Sequence, residues 1–145
     1  MFNHILIATD GSEPADKAVD LALRIAGKAR LTALMVVPDY DTVDLAWATL
    51  TDGPAPQAIR DRFEAAGLKR LEFALRRHDH RSQRIERMEA VSDRPYQAIV
   101  DTATREGCDL IVMAPRGRGM LSSMLLGSQT ARVLTLSSVP VLVAP

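Results

Sequence analysis

The chain has 145 residues, with 18 bases against 18 acids and a formal net charge of zero; its length suits one domain around a single hydrophobic core. A neutral chain lacks the cationic surplus that nucleic acid or an anionic membrane surface selects, so neither is expected as a partner. No apolar run approaches the roughly 18 residues of a membrane helix, and the lone cysteine, Cys108, excludes an intrachain disulfide.

Residues 4–9 (HILIAT) form a short apolar run that ends in Asp10-Gly11-Ser12, the pattern of a buried strand followed by a turn. Ser12 or a neighbour is placed to cap the helix that follows, and Pro14 suits its first turn. Ala15, Ala18, Val19, Ala22, Ile25 and Ala26 recur at steps of three and four, a face of small side chains that can approach a sheet closely. A second strand covers 31–37 and stops at Pro38; residues 38–56, rich in Asp, Gly and Pro, read as a loop with a helical turn around Leu45 and Trp47. A second helix runs from Ala55 or Pro56 to Arg77, with Ile59, Phe63, Gly67, Leu71 and Leu75 along one face. Residues 83–90 alternate imperfectly with charges and suit a strand at a sheet edge. The excess of bases in 60–89 is interleaved with acids and reads as a solvated face, with His78 and His80 directed to solvent.

Ser92 or Asp93 is expected to cap a third helix with Pro95 in its first turn, Ala98, Ile99, Thr102 and Ala103 inward, and Gly107 at its end. A fourth strand follows at 109–114, then a glycine-bearing loop at 115–128. The last helix, near 128–137, is expected to turn Ala131, Leu134 and Thr135 inward, and 139–144 form the fifth strand. Unbroken apolar strands separated by helices predict an α/β fold, a parallel sheet with helices on both faces. No linker or internal repeat divides the chain, so residues 1–145 are read as one domain. The start has no basic segment of a secretion leader, and with a single cysteine this points to the cytoplasm.

In an open parallel sheet, ligands bind beyond the carboxyl ends of the strands. Asp10-Gly11-Ser12, Val37-Pro38-Asp39 and Ala114 to Ser128 occupy such ends, and they converge if the first and fourth strands are neighbours. Gly117, Gly119 and Gly127 permit close backbone approach to a ligand. Gly127 and Ser128 open a helix, where unpaired N–H groups favour a phosphate, and Arg116 and Arg118 add positive charge. The same residues also fit a tight surface loop with a capped helix. Asp10 fits three roles: accepting from a ribose hydroxyl, holding a metal, or capping its helix. Phosphate-loop, dinucleotide and nucleophile-elbow motifs are absent, the histidines are not spaced for zinc with Cys108, and Cys108 reads as a small core residue. The apolar fifth strand, with Val139, Val141 and Val143, invites a second copy to pair if it lies at an edge.

The opening ILIATDGSEPADKAVDLALRIA, the strand DLIVMA and the stretch RGRGMLSSMLLGSQTARVLTLSSVPVLV resemble the universal stress protein family over essentially the whole chain. The resemblance implies a five-stranded parallel sheet of order 3-2-1-4-5, dimerised through its last strand. One branch of that family binds ATP through G-x-x-G, nine residues, then G-[ST]. Here the frame is Ala114-Pro115-Arg116-Gly117, nine residues, and Gly127-Ser128, so Ala114 replaces the first glycine. By resemblance, Asp10 meets the ribose or adenine side, Val37 offers backbone contacts to the base, and Gly117, Gly127 and Ser128 hold the phosphates. The Ala114 methyl and the missing Pro115 N–H oppose this; one lost charge-assisted bond costs about 1.5–3 kcal/mol, which Arg116 and Arg118 offset in part. The implied function is a dimeric, ATP-binding stress-response module, with Mg²⁺ accompanying the nucleotide and hydrolysis slow at most. The alternative is a dimeric regulatory or interaction protein that binds no nucleotide. In either case the protein partner is unidentified.

Overall fold

A computed structural model describes residues 1–39, 50–53, 56–78, 83–117 and 126–145. Five strands, β1 (His4–Ala8), β2 (Arg30–Val37), β3 (Ile85–Val91), β4 (Leu110–Met113) and β5 (Val141–Val143), form one parallel sheet. Their order, β3-β2-β1-β4-β5, makes β1 and β4 neighbours and puts β3 and β5 at the edges. Among the described residues, the helices that connect them are α1 (Glu13–Ile25), α2 (Pro56–Arg76), α3 (Pro95–Arg105) and α4 (Ser128–Leu136). The order and the flanking helices agree with what the resemblance implies. The proposed turn around Leu45 and Trp47, and the side chains of Ile59, Phe63, Arg118 and His80, lie outside the described residues.

Strand alternation divides the core in two. Ile5, Ile7, Ala33, Met35, Val37 and Val112 face the side covered by α1 and α2, where Ala18, Ala22, Leu71 and Leu75 pack on them. Leu6, Ala8, Leu34, Ile111 and Met113 face α3 and α4, meeting Ile99, Ala103 and Val133. Both faces of β1 are buried, so from Ile5 to Ala8 its sequence is a continuous apolar run. β3 exposes Glu86 and Arg87, as an edge strand should, and Glu86 pairs with Arg30 at 3.3 Å. β5 is shorter than expected because Pro140 has no N–H to add to a ladder. Even so, the Pro140 carbonyl accepts from Ile111 N–H and Ala144 N–H donates to the Met113 carbonyl, each at 2.9 Å.

Four expectations need correction. Ile25, read on the packed face of α1, is 36% exposed, at the helix's last turn. The inward residues of α4 are Thr130 and Val133, while Leu134 is 44% exposed and Thr135 also faces out. The rotation of this helix is set by a polar anchor, Thr130 Oγ1 donating to the Ala114 carbonyl at 3.0 Å, which hydrophobic spacing does not reveal. His78 does not face solvent: its side chain is only 4% exposed. Asp16 and Asp20, one turn apart on α1, receive it, with Nδ1 2.6 Å from Asp20 Oδ1 and Nε2 3.4 Å from Asp16 Oδ1. Finally, neither Ser12 nor Ser92 nor Asp93 caps its helix through a side chain. Ser92 Oγ accepts instead from Arg94 N–H at 3.0 Å, and Asp93 Oδ1 from Asp39 N–H at 3.0 Å.

Candidate functional site

The first wall of the site is the turn after β1. Gly11 has φ +75°, a left-handed conformation that favours glycine, and its N–H donates to Thr9 Oγ1 at 3.1 Å. This reversal turns the Asp10 carboxylate back on the chain, where Oδ1 accepts from Ser12 N–H at 2.9 Å. Arg77, beyond the end of α2, braces the turn from behind: one guanidinium nitrogen donates to the Gly11 carbonyl at 3.2 Å and to Asp16 Oδ1 at 2.7 Å.

The second wall is the segment that leaves β4 and returns as α4. Gly127 N–H donates to the Pro115 carbonyl at 2.7 Å, and Thr130 Oγ1 fastens the Ala114 carbonyl one helical turn further on. These bonds close the base of the loop. A methyl at Gly127 would lie 3.2 Å from Arg116 Cα and 3.3 Å from the Pro115 carbonyl oxygen, so only glycine passes there without a backbone shift. A methyl at Gly117 would lie 3.1 Å from Asp10 Oδ2, which places the two walls in contact distance of each other.

Between them lies a cavity of about 510 Å³, within the range of small-molecule sites. Its floor is apolar, with Ala8, Leu34, Val36, Ile99 and Met113 coming from the α3–α4 face of the sheet. At the other end stand Asp10, Arg116, Gly117, Gly127, Ser128 and Thr130. The first-turn N–H groups of α4 have no partner inside their helix and are directed out of its start. Such an arrangement takes a ligand with a flat or apolar body and an anionic or acceptor-rich end.

The structure therefore brings together Asp10, Ala114, Arg116, Gly117, Gly127 and Ser128 on one cavity. Val37 stands differently. Its side chain belongs to the opposite core and its carbonyl accepts from Ser92 N–H at 2.9 Å, while its neighbours Val36 and Pro38 line the cavity. Gln129, Thr130, Pro95 and Ile99 line it too. Strand alternation from Ala8 through β2 was a signal for Val36; Gln129 had none in its own neighbourhood. Among the described residues, no three His, Cys, Asp or Glu side chains come together as a metal-binding group. No helix among them is long and apolar enough to cross a membrane.

The universal stress protein family model matches residues 1–145. The chain belongs to the universal stress protein family. It is 33% identical to the universal stress protein YxiE of Bacillus subtilis, over 99% of each chain. Its fold superposes on that of MJ0577 of Methanocaldococcus jannaschii with a TM-score of 0.80, covering 99% of this chain and 96% of that one at 24% identity. A universal stress protein solved in complex with cAMP is 26% identical, with a TM-score of 0.60 and coverage of 99% and 97%.

Away from the site, Cys108 is buried and its thiol is pushed up to about 11, chiefly by desolvation and then by the nearby Glu106 carboxylate. It stays protonated at neutral pH, which suits a core residue and not a nucleophile.

Proposed function

We propose that this protein is a cytoplasmic, ATP-binding regulatory module that works as a dimer. The single observation that carries the reading is the shared cavity, walled by the Asp10 turn and the Gly117 and Gly127–Ser128 segments above an apolar floor. The base would lie on Val36, Ile99 and Met113, with the ribose toward Asp10. The phosphates would meet Ser128 and the first-turn N–H groups of α4, with Arg116 and Arg118 adding charge. Mg²⁺ would arrive with the nucleotide and shield its phosphates. No lysine clamp lines the cavity among the described residues, so hydrolysis is expected to be slow. A family member in complex with cAMP supports an adenine ligand for this fold.

The dimer reading rests on β5. It is an edge strand on which Val141 and Val143 remain only half-buried, as does Val139 just before it. Leu134 and Leu136, on the helix just before it, are 44% and 55% exposed. A second copy pairing there would cover both. Sedimentation should give a dimer at tens of micromolar; a clean monomer removes this part.

One observation favours the alternative, a dimeric interaction protein without nucleotide. The Pro115 carbonyl already takes Gly127 N–H, withdrawing one backbone donor from a phosphate. Denaturing the purified protein and identifying the released small molecules separates the two. Adenine nucleotide at close to one per chain supports the module. Its absence, with no thermal shift in millimolar Mg-ATP, leaves the interaction protein.

A further inference from the structure

Helix α3 begins without a cap of its own. Arg94 stands at its N-cap position and makes no side-chain cap bond, and both neighbours that ordinarily serve are engaged elsewhere. The cap comes from another helix: Gln129 Oε1, at the second position of α4, accepts from Tyr96 N–H at 3.0 Å. One turn further along α4, the Arg132 guanidinium lies 5.0 Å from the centre of the Tyr96 ring. So α4 grips Tyr96 twice, by its main chain and by its ring. Both helix starts border the cavity, Pro95 and Ile99 of α3 beside its apolar floor and Ser128 of α4 in its second wall.

Gln129 itself lines that cavity. With its carbonyl oxygen turned to Tyr96, the amide keeps both donors of its NH₂ group for a ligand. A phosphate oxygen or a ring nitrogen is the acceptor chemistry that matches it. We infer that Gln129 is a positioning residue joining the two helix starts that border the cavity, so that a ligand acceptor held at the start of α4 also orders the start of α3. This rests on the nucleotide reading for the ligand, but the clamp stands on the structure alone. Its consequence is regulatory: occupancy changes the order of the 95–99 segment, and with it the surface near Tyr96 and Arg132.

Two variants and two readouts test this. Gln129→Glu keeps an acceptor for Tyr96 N–H but puts a carboxylate where the donor stood, while Gln129→Ala removes both. By hydrogen exchange without ligand, the Tyr96 amide should be protected in wild type and Gln129→Glu, and should exchange about tenfold faster in Gln129→Ala. In calorimetric titrations with Mg-ATP, Gln129→Glu should bind at least about tenfold more weakly than wild type, although it melts no lower. Mg-ATP should slow exchange across 95–99 in wild type and not in Gln129→Ala. Equal Tyr96 exchange in wild type and Gln129→Ala overturns the clamp. Wild-type affinity in Gln129→Glu, with the Tyr96 amide still protected, reduces Gln129 to a helix cap and overturns its part in the ligand site. Failure of the wild type to bind Mg-ATP overturns the nucleotide reading and the transmission with it, while the ligand-free exchange still decides the clamp.

Discussion

At the amino ends of the strands, the polar atoms of His4, Thr32, Glu106 and Asp109 satisfy one another; at the carboxyl ends, Asp10, Ser128 and the start of α4 border open space. The first group is closed. Asp109 Oδ2 accepts from Asn3 N–H at 2.7 Å and from Asn3 Nδ2 at 3.0 Å, and Oδ1 accepts from His4 N–H at 3.0 Å. His4 Nδ1 meets the Glu106 carbonyl at 3.1 Å and Nε2 meets Thr32 Oγ1 at 2.9 Å. Because a carbonyl only accepts, Nδ1 carries the proton, and in the neutral ring Nε2 accepts from the threonine hydroxyl. Around the cavity, by contrast, the bonds of Thr130 and Gly127 fix the backbone of the walls and leave the α4 start directed outward. One end of the sheet is closed by internal hydrogen bonds; the other borders a cavity. The two should therefore respond separately to substitution.

The largest expected effect is at Gly127. Gly127→Val drives a side chain against Arg116 Cα and the Pro115 carbonyl, so the loop base must open. ATP affinity should fall by more than about a hundredfold, or about 2.7 kcal/mol, while circular dichroism and sedimentation stay native-like. Retained binding would misplace the phosphates. The counterpart at the closed end is Thr32→Val, which strips His4 Nε2 of its partner in a fully buried setting. Urea unfolding should show a loss of about 1–3 kcal/mol, with ATP affinity within about twofold of wild type. A large loss of affinity there would break the separation of the two ends.

Smaller and pH-dependent is Asp109→Asn. Hydrogen bonds from the Asn3 and His4 backbone N–H groups hold the Asp109 carboxyl below its ordinary range. Its folded-state value is depressed, so its contribution is complete above about pH 4 and is lost as pH falls through the depressed value. The stability gap between wild type and Asp109→Asn should be present at pH 7 and shrink on acidification. A gap that grows toward low pH contradicts the assignment. The smallest effect is a rate: with its thiol raised to about 11, Cys108 should react with iodoacetamide at pH 8 far more slowly in the native protein than in urea. Equal rates would mean that this end opens readily.

Much of this contrast is written in local pattern. The apolar runs of β1 and β4, the turn at Asp10 and the glycines at 117 and 127 are short-range signals, and they suffice to bring the strand ends to one place once β1 and β4 adjoin. What escaped was set by distant partners. The phase of α4 follows a hydroxyl that reaches the Ala114 carbonyl, so Thr130 and Val133 are buried where spacing favoured Leu134 and Thr135. His78 is buried because two carboxylates of α1 wait for it, 58 and 62 residues away. Gln129 caps a neighbouring helix through Tyr96, 33 residues before it. The sheet order came from the family likeness, because the apolar strands are too alike to order by composition.

The most direct measurement follows backbone amide signals by NMR during titration with Mg-ATP. Gly117, Gly127, Ser128 and Gln129 should shift and saturate with one dissociation constant near one ligand per chain, while Asn3, His4 and Asp109 stay in place. No shift at the first group up to millimolar Mg-ATP, or saturable shifts confined to the second, would contradict the placement of a nucleotide at the carboxyl ends of the strands.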